Sequence, residues 1–335
     1  MIIIEPRAKY TEEPRECGGL LVIGDPHLSS RRPGRRRDAD WPAPVLAKLE
    51  RCVEIAEQGD LVPIVLGDLF DRPVEPDERL KAQLIRVFRR FRHRPVVNVG
   101  NHDKAHTALS DCDSLALLGI ADVVDVVAVS TPVARFRVAG RVLGVGMTPF
   151  GQPIPRAVTG AFPEQDTVIW FTHHDIAFEG TYPGAVPPFP IAGCAMVVNG
   201  HVHASKPPVE AGGTWWMNPG NITRQSVDLM NQAPRAWVLT GQGALRPEPL
   251  PHAPDTFDLT GRLVEPALPL PGGEALESAF VSLLKAESAT ELGRSADGSL
   301  LREEIEARFT REESPHAVRA IVRALLAEAV ERQNA

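Results

Sequence analysis

The chain is poor in cysteine, in long apolar runs and in repeats, and each shortage excludes a class of protein. Its four cysteines are scattered without a Cys-x-x-Cys pair, so free thiols are expected rather than two disulfides or a zinc-thiolate site. The opening apolar run, residues 1–4, is interrupted at once by Glu5, Pro6 and Arg7. It is too short for a signal peptide or a membrane span. The sequence therefore predicts a cytoplasmic protein with no membrane contact.

Net positive charge is also missing. A formal charge of −7 excludes a protein that coats nucleic acid through bulk charge alone. Two local basic runs remain, at residues 31–37 and 86–94. Either run is explained by a solvated loop or helix face, but the first could also hold phosphate groups, because it directly follows a block of candidate metal ligands. The candidate phosphate-binding residues are Arg31, Arg32, Arg35, Arg36 and Arg37.

Apolar β-branched runs alternate with helical periodicity in the first half of the chain. Strands are predicted at 20–23, 61–66 and 95–99, and helices at 45–58 and 77–92. This alternation predicts a parallel sheet covered by helices, with the site at the carboxyl ends of the strands. Beyond residue 122 the pattern favours β-structure, and we expect a second sheet packed on the first. Its predicted strands are 133–138 and 142–145, which form a hairpin, followed by 167–171, 195–198 and 235–239.

The chain divides into three regions by composition. We predict a catalytic domain at residues 1–246, a proline-rich linker at 247–273 and a mainly helical accessory region at 274–335. The clearest helical periodicity in the last region lies at 318–330. This region is a candidate surface for a protein partner.

Five short blocks supply metal-binding side chains in a fixed order. They are residues 24–27 (GDPH), 67–72 (GDLFDR), 100–103 (GNHD), 172–174 (THH) and 200–203 (GHVH). Most follow an apolar run, as expected for ligands held at the ends of buried strands. Carboxylate, amide and imidazole groups together suit two divalent ions, which suit the hydrolysis of a phosphate ester. The candidate ligands are Asp25, His27, Asp68, Asn101, His173, His201 and His203.

The blocks also suggest individual roles. A carboxylate can bridge two ions, and Asp68 is the candidate bridge. His102 could give a proton to the leaving oxygen, with Asp103 holding it as an imidazolium. Asp71 and Arg72 are both expected to lie outside the ligand set. There Asp71 would orient a ligand or pair with Arg72. His174 competes with His173 for the fourth block and otherwise lies behind the ligands. The glycines at 24, 67, 100 and 200 would permit tight turns after the strands.

Taken together, the blocks resemble the pattern of the calcineurin-like metallophosphoesterase superfamily: D-x-H, G-D-x-x-D, G-N-H-D/E, H and G-H-x-H. The resemblance implies an α/β double β-sandwich flanked by helices, a two-metal centre and hydrolysis by a metal-bridging hydroxide. It assigns one metal to Asp25, His27, Asp68 and His203. It assigns the other to Asp68, Asn101, His173 and His201, and it places His102 at the scissile phosphate.

Within this superfamily the chain is most similar to SbcD-type DNA repair nuclease subunits. Residues 67–71 and the turn at 218–224 (NPGNITR) carry this finer resemblance. It implies manganese, with iron, zinc or cobalt as alternatives, a nucleic acid substrate, and an SbcC-type ATPase partner bound through the C-terminal region. A homodimer is left open. Pro26, the arginine-rich insert and the unfamiliar C-terminal region depart from the SbcD pattern.

Two other functions stay open at this point. A phosphomonoesterase or a small-molecule (nucleotide) phosphodiesterase would need no basic track beside the site. A metal-bound scaffold without turnover would recruit a partner through residues 274–333.

Overall fold

Short strands with apolar residues on both faces form the centre of the protein. The computed structural model describes residues 13–178, 184–254 and 256–259. In these residues the strands are β1 Arg15–Glu16, β2 Gly19–Ile23, β3 Leu61–Val65, β4 Val96–Asn98, β5 Asp125–Val127, β6 Thr131–Val138, β7 Arg141–Thr148, β8 Thr167–His173, β9 Met196–Gly200, β10 Lys206–Ala211, β11 Thr214–Asn218, β12 Arg235–Leu239 and β13 Leu245–Pro249. The helices are α1 Ala43–Gly59, α2 Glu78–Phe88 and α3 Ser114–Ile120, with a 3₁₀ turn at Val227–Leu229.

The first sheet contains the parallel unit that the sequence predicts. Its order is β13-β12-β2-β3-β4-β5, and β2 to β5 run parallel. Helix α1 connects β2 to β3, and α2 connects β3 to β4. The carboxyl ends of three neighbouring strands therefore meet at one edge, and the first three blocks leave the sheet there.

The second sheet has the order β1-β6-β7-β8-β9-β11-β10. Strands β6 and β7 form the predicted hairpin around Ala139 and Gly140, which both have positive φ. Strands β7, β8 and β9 run parallel, so the fourth and fifth blocks also leave from neighbouring carboxyl ends. The prediction of two sheets flanked by helices is confirmed.

One strand lies in a different sheet from the one expected. Strand β12 pairs antiparallel with β2 and so extends the first sheet. Its side chains explain the placement: Ala236 and Val238 pack on the helix side, and Trp237 packs against the core between the sheets. A strand with two apolar faces suits either sheet, so its sequence did not decide between them.

The apolar residues form three layers. One core lies between the first sheet and the helices, and includes Leu21, Leu49 and Leu84. A second lies between the two sheets, and includes Phe136 and Phe171. The third covers the outer face of the second sheet around Trp216. The two sheets are therefore fixed relative to each other by a buried interface, which sets the spacing of the blocks at their shared edge.

Helix α2 is shorter than predicted. Asp77 caps it, because its side chain accepts hydrogen bonds from the backbone N–H groups of Arg79 and Leu80. The helix ends at Phe88, whose ring packs on Phe91 with centroids 5.8 Å apart, and the backbone tightens into a turn there. The second basic run therefore lies mostly beyond the helix. Arg92 pairs with Asp60 in this region.

The predicted boundary at residue 246 falls inside strand β13, which spans Leu245–Pro249 and pairs with β12. Beyond it, the backbone of Phe257 pairs with that of Arg36. The predicted linker therefore begins inside the sheet, at residues 247–249, and Leu250 and Phe257 are buried against the domain. The remaining linker, the accessory region and its helix at 318–330 lie outside the described residues.

All four cysteines are free thiols, as predicted. Among the described residues, none of the helices has the length and apolar character needed to cross a membrane.

Candidate metal centre

The five blocks converge where the carboxyl ends of both sheets meet, and the backbone turns sharply at several of them. Asp25, His27, Asp68 and His201 all have φ between 31° and 74°. Non-glycine residues rarely adopt this left-handed region, and such strain is concentrated at functional sites. The turns direct side chains from both sheets into one buried cluster.

The first group of donors contains His27, Asp68 and His203. The Nε2 atoms of the two imidazoles lie 2.9 Å apart, and His27 Nε2 lies 3.6 Å from Asp68 Oδ2. The side chains of His27 and Asp68 are buried. Three ligand atoms that face one point in the interior can hold a cation between them.

The second group contains Asp68, His173 and His201. Asp68 Oδ2 lies 3.1 Å from His173 Nε2. Asn101 joins this group, since its Oδ1 lies 3.2 Å from His173 Nε2 and 2.9 Å from His201 Nδ1. Asp68 belongs to both groups, and its Oδ2 faces imidazoles of both.

Asp25 lies beside these groups. Its Oδ2 accepts a hydrogen bond of 2.8 Å from the backbone N–H of His201, and its Oδ1 is 3.7 Å from His173 Nδ1. Asp25 thus connects the first block, which leaves the first sheet, to the fifth block, which leaves the second sheet.

The buried polar atoms of the cluster fit divalent cations. Asp25 Oδ1, Asp68 Oδ2, His27 Nδ1 and His203 Nδ1 are buried and lack a hydrogen-bond partner among the described residues. Both ring nitrogens of His173 face oxygens, with Leu66 O 3.1 Å from Nδ1. As an imidazolium, His173 donates from both nitrogens, and a divalent cation at Nε2 would take the place of that proton.

The charges of the cluster shift its proton affinities in opposite directions. Burial acts to lower the pKa of His173, but the carboxylates of Asp68 and Asp25 outweigh it and raise this pKa to about 9. Burial, reinforced by the charge of His27, lowers the pKa of His203 well below its usual range. Burial acts to raise the pKa of Asp68, yet His173 and His102 hold it well below its ordinary value. Asp68 is therefore ionised at neutral pH, as a bridging ligand requires.

His102 lies at the rim of the cluster, half-buried. Its Nδ1 donates to the carbonyl of Asp71 over 2.8 Å, and its backbone N–H donates to Asp68 Oδ1 over 2.8 Å. Because Nδ1 is engaged, Nε2 is the nitrogen left for a substrate.

The expected role of Asp103 is corrected. Its carboxylate accepts hydrogen bonds from the backbone N–H groups of Phe70 and Gly100, at 3.2 and 2.9 Å. It therefore fixes the second block to the third, and not the imidazole of His102. Burial and the neighbouring Asp68 raise the pKa of Asp103 to about 7.

Asp71 supports the cluster from outside, but with a different partner from Arg72. Gln225 donates to Asp71 Oδ1 over 2.6 Å, and the same oxygen lies 3.6 Å from His27 Nδ1. Arg72 is half-buried, and its Nη2 has no hydrogen-bond partner among the described residues. The contact with His27 matches the expected orienting role, and the expected ion pair with Arg72 is not formed.

The structure brings His173, and not His174, to Asp68. The Nε2 atom of His174 donates to the carbonyl of Gln152 over 2.8 Å, and its backbone N–H donates to Asn199 Oδ1. Burial lowers the pKa of His174 to about 4. His174 is thus a neutral side chain behind the cluster.

Two residues that the sequence reasoning missed contact the second group. Asp175 Oδ1 lies 2.9 Å from His201 Nε2, an arrangement that orients a ligating imidazole. Phe150 packs against His201 and His173, with ring centroids 5.3 and 6.3 Å away. Asp175 directly follows the fourth block, so a carboxylate adjacent to His173 and His174 was the available signal. Phe150 carries no such signal.

The glycines of the blocks are needed mainly for close approach. Only Gly67 among them has positive φ, at 130°. A β-carbon on Gly100 would overlap Asp68 Oδ1, and one on Gly200 would lie 2.6 Å from Asp25 Oδ1. At 100 and 200 the expected tight turn is therefore not the reason for glycine, since the carboxylates occupy the space that a side chain would need.

The arginine-rich segment does not act as one surface. Arg36 is 3% exposed, forms a two-point ion pair with Asp38 at 2.7 and 3.0 Å, and lies between the rings of Trp41 and Phe257. It is therefore a structural residue, and its predicted role in phosphate binding is wrong. Arg35 donates to the carbonyl of Asp258 over 3.4 Å.

The other arginines of the segment reach solvent. Arg31, Arg32 and Arg37 are exposed. Arg32 also donates to the carbonyl of Asp38 over 2.8 Å. The backbone of Arg37 is bound to that of Thr256.

The turn at 218–224 packs directly beneath the first block. Thr223 donates its hydroxyl to the carbonyl of Pro26, and Ile222 donates its backbone N–H to Gly24. Arg224 is buried and donates to the carbonyls of Met230 and Ala253. This turn therefore fixes the loop that carries Asp25 and His27.

A cavity of about 600 Å³ lies away from this centre. Its lining includes Thr167, Ala195 and Thr214, at the amino ends of β8, β9 and β11. The candidate ligands leave the opposite ends of β8 and β9, so this cavity is separate from the metal centre.

Several solved structures are similar to the chain at low identity. An archaeal phosphodiesterase shares 13% identity, with a TM-score of 0.36 and coverage of 69% of this chain and 99% of that one. A 5'-nucleotidase precursor from Thermus thermophilus shares 15%, with a TM-score of 0.42 and coverage of 69% and 54%. The NAD nucleotidase of Haemophilus influenzae shares 11%, with a TM-score of 0.41 and coverage of 69% and 50%. Likeness at this level carries no argument about the substrate.

Among curated proteins, none matches the chain. The family model of the calcineurin-like phosphoesterases matches residues 19–205. This span contains all five blocks and more than half of the chain. The chain belongs to the calcineurin-like phosphoesterase family.

Proposed function

We propose that this chain is a two-metal phosphoesterase that hydrolyses phosphodiester bonds, with nucleic acid as its substrate. The observation that supports it most is the position of Asp68. Its Oδ2 lies 3.1 Å from His173 Nε2 and 3.6 Å from His27 Nε2, between two groups of donors. A single carboxylate shared in this way is what a pair of close metal ions requires.

Each proposed ion has a mixed set of ligands. Asp25, His27, Asp68 and His203 would hold one, and Asp68, Asn101, His173 and His201 would hold the other. Two divalent ions in these positions would acidify water and neutralise charge on the phosphoryl oxygens. Manganese is the metal that we propose, by the resemblance to SbcD-type nucleases, since the oxygen and imidazole donors themselves also admit iron, zinc or cobalt.

His102 is the proposed proton donor. Its Nδ1 is fixed by the carbonyl of Asp71, so the ring presents Nε2 toward the rim of the cluster. A proton on Nε2 can pass to the leaving oxygen as the phosphoester bond breaks. Asp68 also accepts the backbone N–H of His102, which ties the donor to the proposed bridging ligand.

The substrate proposal now depends on fewer arginines than the sequence indicated. Arg31 and Arg32 are exposed on the loop that follows the first block. Exposed guanidinium groups beside a phosphoesterase site can hold backbone phosphates without reading bases. We propose that these two residues contact the backbone of the bound strand.

Hydrolysis assays on linear and circular DNA, both single- and double-stranded, test the reaction and the substrate together. The assays contain added manganese, and an aryl phosphomonoester and an aryl phosphodiester are tested as substrates in parallel. Asp68→Asn is the control. Cleavage of DNA that the control loses supports the proposal. Turnover of the small esters alone would leave a phosphomonoesterase or small-molecule phosphodiesterase. Two bound manganese ions without any turnover would indicate a scaffold.

Salt dependence tests the arginines separately. The double variant Arg31→Gln/Arg32→Gln removes two proposed phosphate contacts, and Arg246→Gln is an exposed control on β13. Because each contact contributes about 0.9 to the slope of log K against log salt, the double variant should flatten the slope by about 1.8. An unchanged slope with intact metal binding would remove the nucleic acid argument.

The cytoplasmic location and the partners remain proposals too. An SbcC-type ATPase or another protein would bind through residues 274–335, which lie outside the described residues. Co-purification of the full chain from its native cells, followed by mass spectrometry, would identify such a partner.

A further inference from the structure

The two ring nitrogens of His27 have different surroundings. Its Nε2 lies 2.9 Å from His203 Nε2 and 3.6 Å from Asp68 Oδ2, on the side of the other candidate ligands. Its Nδ1 is buried, makes no hydrogen bond among the described residues and lies 3.6 Å from Asp71 Oδ1. A neutral imidazole offers a lone pair at Nε2 only when its proton is on Nδ1. The acceptor beside Nδ1 therefore decides whether His27 is ready to bind a metal ion.

Asp71 is fixed by separate contacts at its backbone and its side chain. Its backbone N–H donates to the carbonyl of Leu28 over 3.1 Å, which holds the second block against the first. Its Oδ1 accepts the side-chain amide of Gln225 over 2.6 Å. Among the described residues, no other group donates a hydrogen bond to this carboxylate. The oxygen that Gln225 holds is the one that faces His27, so Gln225 sets its position relative to the imidazole.

The backbone just before Gln225 is strained and firmly held. Arg224 has a φ of 53°, in the left-handed region that non-glycine residues rarely adopt. Its N–H donates to Asn221 Oδ1 over 3.1 Å, and its carbonyl accepts Arg36 Nη1 over 3.1 Å. Its guanidinium donates to two further carbonyls. Such a conformation persists only where the surrounding contacts fix it. The fold therefore fixes the direction in which Gln225 leaves this turn toward Asp71.

We infer that Gln225 is a positioning residue for one of the two proposed metal ions, the ion whose ligands include His27 and His203. Its amide holds the Asp71 carboxylate beside His27 Nδ1, the carboxylate keeps the proton of His27 on that nitrogen, and Nε2 keeps its lone pair for the metal. Groups that orient a ligating imidazole in this way typically change metal affinity about 10–100-fold. The inference rests on the proposed two-metal centre and adds to it a residue outside the ligand set.

The other proposed ion has its own supports. His201 Nε2 lies 2.9 Å from Asp175 Oδ1, and His173 Nδ1 lies 3.1 Å from the carbonyl of Leu66. Neither contact involves Gln225. Loss of the Gln225 amide should therefore weaken the binding of one ion and leave the other bound.

Counting bound metal at controlled free manganese tests the inference without stripping the protein. The full chain and its variants are loaded with manganese and dialysed against buffers that hold free manganese at graded concentrations. Bound manganese per chain is then measured by mass spectrometry. Gln225→Leu removes the amide at similar size, and Gln225→Glu replaces the donor by a carboxylate that faces Asp71. Gln83→Leu is the matched control, because Gln83 is exposed on α2.

We expect Gln225→Leu to lose one of its two ions at a free manganese concentration about tenfold higher than the parent protein requires. Gln225→Glu should lose the same ion at a still higher concentration, because like charges then face each other. Gln83→Leu should bind both ions as the parent protein does. Added manganese should also restore the turnover of an aryl phosphodiester by Gln225→Leu, because the variant lacks the ion and keeps the groups that act on the substrate.

A double variant separates positioning from a general loss of stability. If Gln225 acts through Asp71, Gln225→Leu should change metal affinity less than twofold when Asp71→Ala is already present. A tenfold effect in that background would overturn the inference, as would loss of both ions together in Gln225→Leu.

The same measurement distinguishes this inference from the proposed function. Two ions bound equally well by Gln225→Leu and the parent protein would overturn the inference and leave the proposed function standing. A parent protein that binds fewer than two ions would overturn both. The metal counts do not depend on turnover, so a lack of hydrolysis would count against the proposed function alone.

Discussion

Substituting Gly100 by alanine should disable the metal centre and also lower the stability of the fold. The added β-carbon would overlap Asp68 Oδ1 and lie 2.8 Å from Asp68 Cγ, where ordinary contact begins at 3.4 Å. The β-carbon would also lie 2.4 Å from the backbone nitrogen of Asp68, so the carboxylate and the backbone of the second block must both shift, by roughly 0.6–1 Å or more, and the carboxylate loses its hydrogen bond from the His102 backbone. The φ of Gly100 is not positive, so alanine adds no backbone strain, and overpacking should cost about 1–3 kcal/mol of unfolding free energy.

The larger effect should be on the chemistry. A displacement near 1 Å in a catalytic site can reduce turnover about 100-fold. Gly34→Ala is the control, because a β-carbon there meets nothing within 4 Å. Both variants are compared for bound manganese by mass spectrometry, for hydrolysis of an aryl phosphodiester and for urea unfolding. If Gly100→Ala retains two metals and its turnover number lies within twofold of that of Gly34→Ala, the close approach of Gly100 to the bridging carboxylate is not required for activity.

Three further substitutions have distinct readouts. Asp175→Asn should weaken manganese binding about 10–100-fold by releasing the imidazole of His201, and titration calorimetry showing unchanged affinity would contradict this. Arg36→Gln should destabilise the fold by about 1.5–3 kcal/mol in urea unfolding, because it removes the charged hydrogen bonds between the buried guanidinium and the half-buried carboxylate of Asp38, while Arg31→Gln should change stability by less than about 0.5 kcal/mol. Burial, followed by the charges of neighbouring arginines, lowers the pKa of Lys48 from 10.5 to about 7. The unfolded chain therefore binds the extra proton between these values, and stability should rise with pH across this window, by at most roughly 5 kcal/mol. Lys48→Met should flatten this rise, and an unchanged pH profile would show that the ammonium is not desolvated.

The ligand cluster was predictable because its members stand next to strand ends. Asp25, Asp68 and Asn101 each follow an apolar run, and parallel strands place such positions at one edge. The sequence also indicated Asp68 as the shared carboxylate. In each case the signal lies within a few residues along the chain, where strand and turn geometry are decided.

Contacts between distant segments were not predictable in this way. Gln225 reaches Asp71 across 154 positions of sequence, and an isolated glutamine carries no pattern. Arg36 is the fourth of five crowded arginines, and only Asp38, Trp41 and Phe257 distinguish it from its neighbours. Whether a charged side chain is buried depends on which distant groups fold around it. Composition alone therefore gave no reason to expect Arg36, and not its four neighbours, to be buried.

The centre draws its donors from two separately hydrogen-bonded sheets, with Asp68 contributed by the first and His173 by the second. Metal ions held there would act as a non-covalent cross-link between the halves of the sandwich. Metal concentration would then set part of the unfolding free energy, and separation of the sheets would release both ions together. A chelator should therefore loosen the whole sandwich, and amide hydrogen exchange should accelerate in β3 and β8 in parallel.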